Sequence, residues 1–249
     1  MKNIAFVSLL FLSLPALAQT TSGTVYYEEA IKLEIQLPEG ADEAMHAMFP
    51  EKQTFGKMLV FNSAESLYKD VEEGEDNNTG TWTGESGGAN IQIKMFRPEN
   101  LTYKNLDADE MVEQKDFLSR KFLIKSELGN LKWKLVKEQK DILGYTCQKA
   151  ELQDTGKVVV AWYSSQIPVS NGPDEYGELP GMILQLDIDN GRRTVTATKV
   201  VTDPPKEGLI EAPKKGDKVT QEEYDKIVEE KTKEMQQESG GNVIRIKRG

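Results

Sequence analysis

Hydrophobic and polar residues alternate with a period of two along much of the chain. Between residues 25 and 37 the odd positions are mostly apolar and the even positions mostly polar. The odd positions are Val25, Tyr27, Glu29, Ile31, Leu33, Ile35 and Leu37. Shorter stretches repeat the pattern at Ile91/Ile93/Met95, Phe122/Ile124, Leu131/Trp133/Leu135 and Val158/Val160/Trp162. Because such strands bury one face and expose the other, we predict a mainly β protein with a curved antiparallel sheet.

The dipeptide Asn190-Gly191 gives the clearest local prediction, a β-hairpin with a two-residue turn. Both residue types tolerate the positive φ angles that such a turn requires. Counting back from the turn sets Leu186 opposite Val195, so that apolar residues of both strands share one face. A slip of one residue would destroy this agreement, so turn chemistry and burial predict the same register.

Two helices are predicted beside the strands. A short, Met-rich helix is expected over residues 41–49, between Pro38 and Pro50. A second helix begins at Thr220, which forms a capping box with Glu223, and ends at the glycines of residues 240–241.

The segments between and beyond these elements are polar. Residues 203–219 contain three prolines and form a predicted linker between the sheet and the second helix. Residues 72–88 are expected to be a long mobile loop. The tail, residues 243–248, alternates apolar and basic residues, which favours a strand added to a sheet edge, with a basic contact to an anionic surface as the alternative.

The N-terminus has the pattern of a secretory signal. Lys2 precedes an 11-residue apolar run at residues 4–14, and Ala16-Leu17-Ala18 suits signal peptidase. A run of that length is too short for a membrane helix, which needs about 20 residues. We therefore predict a signal peptide at residues 1–18, a β domain at 19–202, the linker at 203–219 and a helix with a basic tail at 220–249. The product is expected to be exported, periplasmic or secreted, without a transmembrane anchor.

Charge and composition exclude several kinds of function. The formal charge of −10 opposes binding to phosphate backbones, so no nucleic-acid partner is expected. One His and one Cys leave no basis for a multi-ligand zinc site or an internal disulfide, and no cofactor is predicted. Cys147 lies in an alternating strand, where a buried, unreactive side chain is favoured over a reactive thiol.

No catalytic constellation is recognised, so an enzyme is the less favoured class. The stretch Gly84-Glu85-Ser86-Gly87-Gly88 matches the nucleophile elbow of hydrolases, but its surroundings are polar and the single histidine, His46, lies upstream. The acidic residues of 72–76 do not have the spacing of a calcium loop. A pair of carboxylates for glycoside chemistry cannot be selected from sequence, because their separation is a spatial quantity.

The stretch from Trp133 to Val200 is the most distinctive part of the chain. It contains Gly144-Tyr145, Cys147, Ala161-Trp162-Tyr163, Ile167-Pro168, Gly172-Pro173 and Leu179-Pro180-Gly181-Met182-Ile183-Leu184. With these residues the chain resembles the GLPGLI family, exported proteins found chiefly in Bacteroidetes, whose members have no established activity. It departs from the family motif at Glu178, in place of the first glycine, and at Met182, in place of the second leucine. The glutamate suggests that this position does not require a positive φ, unless Gly177 takes over that requirement.

The Leu-Pro-Gly motif has two interpretations. Proline cannot donate to a sheet and glycine permits close backbone approach, so the motif is typical of a bend that leads into a strand over residues 182–188. Alternatively, the motif and the preceding loop form a partner surface. That candidate surface consists of Pro168, Gly172, Pro173, Tyr176, Leu179, Pro180 and Gly181.

The functional hypothesis that follows is a non-enzymatic envelope protein that binds an apolar ligand, such as a lipid or acyl chain, or a protein partner. The expected architecture is similar to the half-barrel of lipoprotein carriers. An apolar cavity is predicted on the face of the sheet, with Met45, Met48 and Phe49 as a lid. That face carries Leu33, Ile35, Leu184, Leu186 and Val195. An envelope hydrolase with an unrecognised carboxylate site and a purely structural interaction module are the alternatives.

Overall fold

One large, open, curved sheet contains most of the strands. The computed structural model describes residues 21–36, 51–71, 79–86, 89–96, 99–153, 156–238 and 245–248. The strands are β1 (Gly23–Gln36), β2 (Lys52–Phe61), β3 (Glu65–Asp70), β4 (Thr79–Ser86), β5 (Ala89–Phe96), β6 (Leu101–Asn105), β7 (Glu110–Phe117), β8 (Arg120–Glu127), β9 (Trp133–Ile142), β10 (Tyr145–Leu152), β11 (Val159–Ser164), β12 (Met182–Ile188), β13 (Arg193–Val201), β14 (Asp217–Val219) and β15 (Arg245–Arg248). The helix α1 spans Gln221–Glu238. The mainly β prediction is confirmed.

The sheet consists of two meanders that meet at one seam. The order β8-β7-β6-β3-β2-β1 forms the first meander and β13-β12-β11-β10-β9 the second, and β1 pairs with β13 at the seam. The hairpin β4-β5 stands apart as a two-stranded sheet between β3 and β6 in sequence. All pairs are antiparallel except β14, which runs parallel to β8.

The predicted alternation of β1 determines the two faces of the sheet. Val25, Tyr27 and Glu29 are buried on what we call the inner face, which continues across the cross-strand partners Leu59 and Val195. On β11 the phase differs from the prediction, because Val159, Ala161 and Tyr163 are buried and the predicted set Val158, Val160 and Trp162 is not. The run of β11 is apolar on both faces, and periodicity alone could not choose between them.

The predicted hairpin forms with the predicted register. Leu186 pairs with Val195, and the last pair of the ladder is Ile188 with Arg193. Asn190 has φ 55° and Gly191 φ 80°, as the turn chemistry requires.

Three of the described segments cover the sheet. Residues 165–181, which we call the covering loop, cross the inner face and bury Ile167, Val169, Tyr176 and Leu179 in the core. Ile210 and Ala212 of the predicted linker pack on the outer face against Leu67, Tyr103 and Val112, and the linker ends in β14. Helix α1 contacts the inner face at β8, where Tyr224 meets Phe122 edge to face, with 5.4 Å between ring centroids.

The capping box of this helix is confirmed. The Thr220 backbone N–H donates to Glu223 Oε2 at 2.8 Å, and the Glu223 N–H donates to Thr220 Oγ1 at 3.2 Å. The tail also forms the predicted strand, with β15 pairing antiparallel to the end of β1. That end, Leu33–Gln36, extends past the last residues that β2 and β13 pair.

The segment 72–88 corrects one expectation. Its second part forms β4, so that Ser86 lies at the end of a hairpin strand that faces Ala89 and not on a loop. Alternation of small residues with Trp82 was too weak a pattern to predict this strand. Residues 72–76, the signal segment 1–18 and the predicted helix 41–49, with His46, Met45, Met48 and Phe49, lie outside the described residues. Among the helical residues described, none forms a stretch of the length and hydrophobicity that a membrane crossing needs.

Candidate functional site

A cavity of about 320 Å³ opens on the inner face of the sheet, where the covering loop meets the first meander. It is lined by Glu29, Ile31, Phe55, Lys57, Asn100, Leu101, Thr102, Glu113, Gln114, Lys115, Asp174, Glu175 and Arg193. Seven of these thirteen side chains are ionisable. The cavity is therefore polar and charged, in contrast to the apolar cavity that the sequence predicted.

Arg193 links both sides of the cavity. Its Nε donates to Glu29 Oε1 on the neighbouring strand β1, and its Nη2 donates to Asp174 Oδ2 on the covering loop. Glu29 is only 5% exposed. A buried carboxylate is costly unless it is paired and hydrogen-bonded, so Arg193 stabilises both acids in fixed positions.

Lys57 extends this network along β2. Its Nζ lies 2.6 Å from Asp70 Oδ1 and 3.7 Å from Glu29 Oε2. The same ammonium lies 5.7 Å from the centroid of the Tyr68 ring. The buried Tyr68 hydroxyl has no hydrogen-bond partner among the described residues, which is an uncommon state for a buried polar group.

Two carboxyl groups in the cavity have pKa values displaced in opposite directions. Burial raises the pKa of Glu113, and Lys115, whose Nζ lies 3.1 Å from Glu113 Oε1, offsets only part of this effect. Burial also acts to raise the pKa of Asp174, but the charges of Arg193 and Lys57 outweigh it and lower the pKa. Asp174 has φ 48°, so its position on the loop is held against backbone strain.

Lys104 fastens the covering loop to the first meander. Its Nζ donates to the carbonyl oxygens of Tyr176 at 2.6 Å and Gly172 at 3.0 Å, and to Asn171 Oδ1 at 3.2 Å. The side chain is 2% exposed. Burial lowers the pKa of Lys104 to about 8, although nearby carboxylates, Asp174 first among them, oppose the shift. This lysine holds the loop that carries Asp174 and Glu175 at the cavity.

The residues of the predicted partner surface lie mostly inside the protein. Gly172, Pro173, Tyr176, Leu179 and Gly181 are buried, and only Pro168 and Pro180 are exposed. Gly181 has φ 145°, and a Cβ there would lie 2.2 Å from the Ser164 carbonyl oxygen. The motif thus forms the bend before β12, which spans the predicted residues 182–188.

The inference that position 178 does not require a positive φ, drawn from the presence of Glu178, is wrong. Glu178 adopts φ 63°, so this position does take the left-handed conformation that the glycine of the family motif suits. Gly177 does not take over this requirement; a Cβ on Gly177 would instead lie 3.3 Å from the Ser170 carbonyl oxygen. Glu178 gains a compensating contact, because its Oε2 accepts a hydrogen bond from the Leu131 backbone N–H at 2.9 Å.

The face on which an apolar cavity was predicted is filled by side chains. Leu184, Leu186 and Val195 are fully buried in the core cluster with Ile167 and Leu179 of the covering loop. The covering loop supplies apolar cover for these residues, and the predicted lid residues Met45, Met48 and Phe49 lie outside the described residues. Sequence periodicity did not show that a loop with three prolines would cross the sheet.

A smaller cleft of about 130 Å³ lies beside the cavity and shares Glu175 and Arg193 with it. Lys157 and Arg192 are among its other lining residues. The two openings therefore have a common wall.

Among the described residues, the remaining candidates are the single cysteine and a metal centre. Cys147 is buried, and burial raises its pKa to about 11, which agrees with the predicted unreactive thiol. Within the described ranges, no three His, Cys, Asp or Glu side chains come together as a metal centre would require.

The comparisons with known proteins concern one segment and the fold. Residues 150–185 match the model of a family described as "Protein of unknown function (Porph_ging)". This segment contains β11, the covering loop and the start of β12. No curated protein matches the chain.

Two solved structures of PNGF-II are similar to this chain. The structure in space group P21 is 16% identical and superposes with a TM-score of 0.51, covering 84% of this chain and 33% of that chain. The structure in space group C2 is 16% identical with a TM-score of 0.49, covering 82% of this chain and 32% of that one. The chain thus spans about a third of the length of these structures, and the likeness concerns the fold alone.

Proposed function

We propose that this chain is an exported, non-enzymatic binding protein whose ligand occupies the charged cavity. The observation that carries the proposal is the ion-pair network of Glu29, Arg193 and Asp174. It joins both meanders and the covering loop around an opening of about 320 Å³. Side chains fixed in this way lose little freedom when a ligand binds, which favours affinity. The volume lies at the lower end of the range for small-molecule sites, about 300–1,000 Å³.

The lining favours a polar ligand over the lipid that the sequence suggested. An acyl chain placed against Glu29, Lys57 and Arg193 would remove water from these charges without replacing its hydrogen bonds, at a cost of several kcal/mol. A small molecule with its own donors and acceptors avoids that cost. A protein partner would find only Pro168 and Pro180 exposed on the predicted partner surface.

The family and the compartment are part of the same proposal. The motif residues that resemble the GLPGLI family fall largely within the segment that matches a family of unknown function. Export rests on the signal pattern of residues 1–18.

Native mass spectrometry of the protein purified from the envelope of its own host tests this function. We expect a bound polar molecule of defined mass. Glu113→Gln should lose it, because Glu113 lines the cavity, whereas Glu110→Gln on the same strand should retain it, because Glu110 pairs with Lys125 outside the cavity. A bound acyl chain, or the same ligand occupancy in both variants, would contradict the proposal.

A hydrolase is the second candidate, and the opposite pKa displacements of Glu113 and Asp174 favour it. A carboxyl group whose pKa is raised, beside one whose pKa is lowered, is the arrangement of an acid and a base. In this alternative Glu113 donates a proton to a leaving group and Asp174 stays ionised as base or nucleophile. Turnover of the copurified ligand by the wild-type protein, abolished in Glu113→Gln while binding persists, would establish the enzyme and overturn the binding-only function.

A further inference from the structure

Six of the seven ionisable side chains that line the cavity take part in ion pairs, and Glu175 adds one further carboxylate. Arg193 is bonded to Glu29 and Asp174, and Lys57 to Asp70. Lys115 and Glu113 form a third pair at 3.1 Å. An anionic ligand would have to break one of these pairs or enter without a counter-charge, which is unfavourable in a partly buried site. Among the described lining residues, a multivalent cation would find only the one carboxylate of Glu175 outside these pairs.

A neutral ligand with many hydroxyl groups fits this lining better. Each hydroxyl can donate to a carboxylate and accept from an ammonium or guanidinium group at the same time, and hydrogen bonds with a charged partner are the stronger kind. The neutral side chains of Asn100 and Thr102 add donors and acceptors. Ile31 and Phe55 supply an apolar part of the wall, against which the C–H groups of a ring can pack.

We propose that the ligand of the cavity is a neutral saccharide unit, recognised through the paired charges of Glu29, Arg193, Asp174, Glu113 and Lys115. This inference rests on the proposed binding function and names its ligand class. The neighbouring cleft shares Glu175 and Arg193 with the cavity, so a second sugar ring has a place beside the first. Binding should therefore be stronger for a disaccharide than for its monosaccharide.

An NMR titration of the isotope-labelled mature chain tests the ligand class. The probes are neutral sugars (galactose, mannose, N-acetylglucosamine, maltose and N,N′-diacetylchitobiose), a zwitterionic dipeptide (Ala-Ala) and a cation (spermidine). We expect at least one sugar to give saturable shifts at the amides of Thr102, Glu113 and Asp174. Its Kd should change less than twofold between 50 and 500 mM NaCl, because a neutral ligand has no charge to screen.

Variants on one strand serve as the matched pair. Glu113→Gln should weaken sugar binding at least tenfold, and Glu110→Gln should leave it unchanged. Saturable binding of Ala-Ala or spermidine at the same amides without any sugar binding would overturn the saccharide inference and leave the binding function standing. Absence of saturable shifts with every probe, in a chain with a folded spectrum and no copurified ligand, would overturn both.

Discussion

The two meanders present opposite chemistry on the same inner face. On the second meander this face is apolar along Ala161, Leu186 and Val195, all fully buried. On the first meander Glu29, Lys57, Lys104 and Glu113 are buried between the apolar residues. Both halves are closed by one covering loop, which packs by hydrophobic contact on one side and by hydrogen bonds and ion pairs on the other. The stability of the second half should therefore depend on packing, and that of the first half on charge and pH.

The largest effect is expected in the apolar half, from Leu186→Ala. Truncation of a fully buried leucine removes the free energy of its burial and leaves a cavity, so the free energy of unfolding should fall by about 3–4 kcal/mol. Urea denaturation should give the same loss at pH 5, 7 and 9, since no charge is involved. Leu135→Ala is the control, because Leu135 is 58% exposed and should cost less than about 1 kcal/mol. If the loss of unfolding free energy in Leu186→Ala varied with pH, the contrast between an apolar and a charged half would be contradicted.

Arg193→Met, on the second meander's seam strand β13, tests the ion pairs that Arg193 makes with the charged half and the covering loop. It leaves the carboxylates of Glu29 and Asp174 without their main partner, which should cost about 3 kcal/mol at pH 7. In the variant, the charge of Arg193 no longer opposes the effect of burial, so the pKa of Asp174 rises. Asp174 then becomes protonated as the pH falls towards 4, and the loss of unfolding free energy becomes smaller. Arg192→Met is the adjacent control, because Arg192 pairs with Glu34 at the surface and should cost less than about 1 kcal/mol. A pH-independent loss would show that the network acts only by packing.

Lys104 gives the charged half a second pH dependence, of the same sign but in a higher pH range. Its pKa is about 8 in the folded protein and about 10.4 in the unfolded chain. Between these values the unfolded chain binds more protons, so the free energy of unfolding rises with pH in this window. The comparison with Lys104→Met removes the contribution of the other titrating groups. The free energy of unfolding of the wild-type protein, relative to that of the variant, should rise by about 2 kcal/mol between pH 7.5 and 9.5. A constant difference across these pH values would show that burial does not lower the pKa of Lys104, and that the lysine stays charged throughout this range in the folded protein.

The smallest effect is expected at Glu178, on the loop that joins the two halves. Glu178→Gly and Glu178→Ala both lose the bond to the Leu131 N–H, but only alanine keeps the strain of φ 63°. A non-glycine residue in the left-handed conformation costs about 1–2 kcal/mol, and glycine avoids this strain. Glycine also increases the entropy of the unfolded chain, which lowers stability and offsets part of the gain. The glycine variant should therefore be about 1 kcal/mol more stable than the alanine variant in thermal unfolding. Equal stabilities would mean that the loop relaxes when the side chain is removed.

The sequence was sufficient to predict the elements that follow local rules. The hairpin register at Asn190-Gly191, the capping box of Thr220 and the alternation of β1 all depend on neighbours in the chain, and all three are confirmed. The cavity depends on pairs such as Glu29 with Arg193 and Lys104 with Tyr176, which are far apart in sequence. One signal was available, because Glu29 interrupts an otherwise apolar set of odd positions. A charged side chain on the buried face of a strand requires a buried partner, but the sequence did not indicate which residue that partner is.

The seam between β1 and β13 also has a consequence for how the chain folds. Each meander can assemble from strands that are neighbours in sequence, whereas the seam pairs Thr24 with Val201. Closing so long a loop is entropically costly, and contacts of this kind form slowly. We therefore expect two partly folded halves that join in a late step. Since Glu29 and Arg193 lie on opposite sides of the seam, the binding site is created only when the halves join, and ligand binding would report the completion of folding.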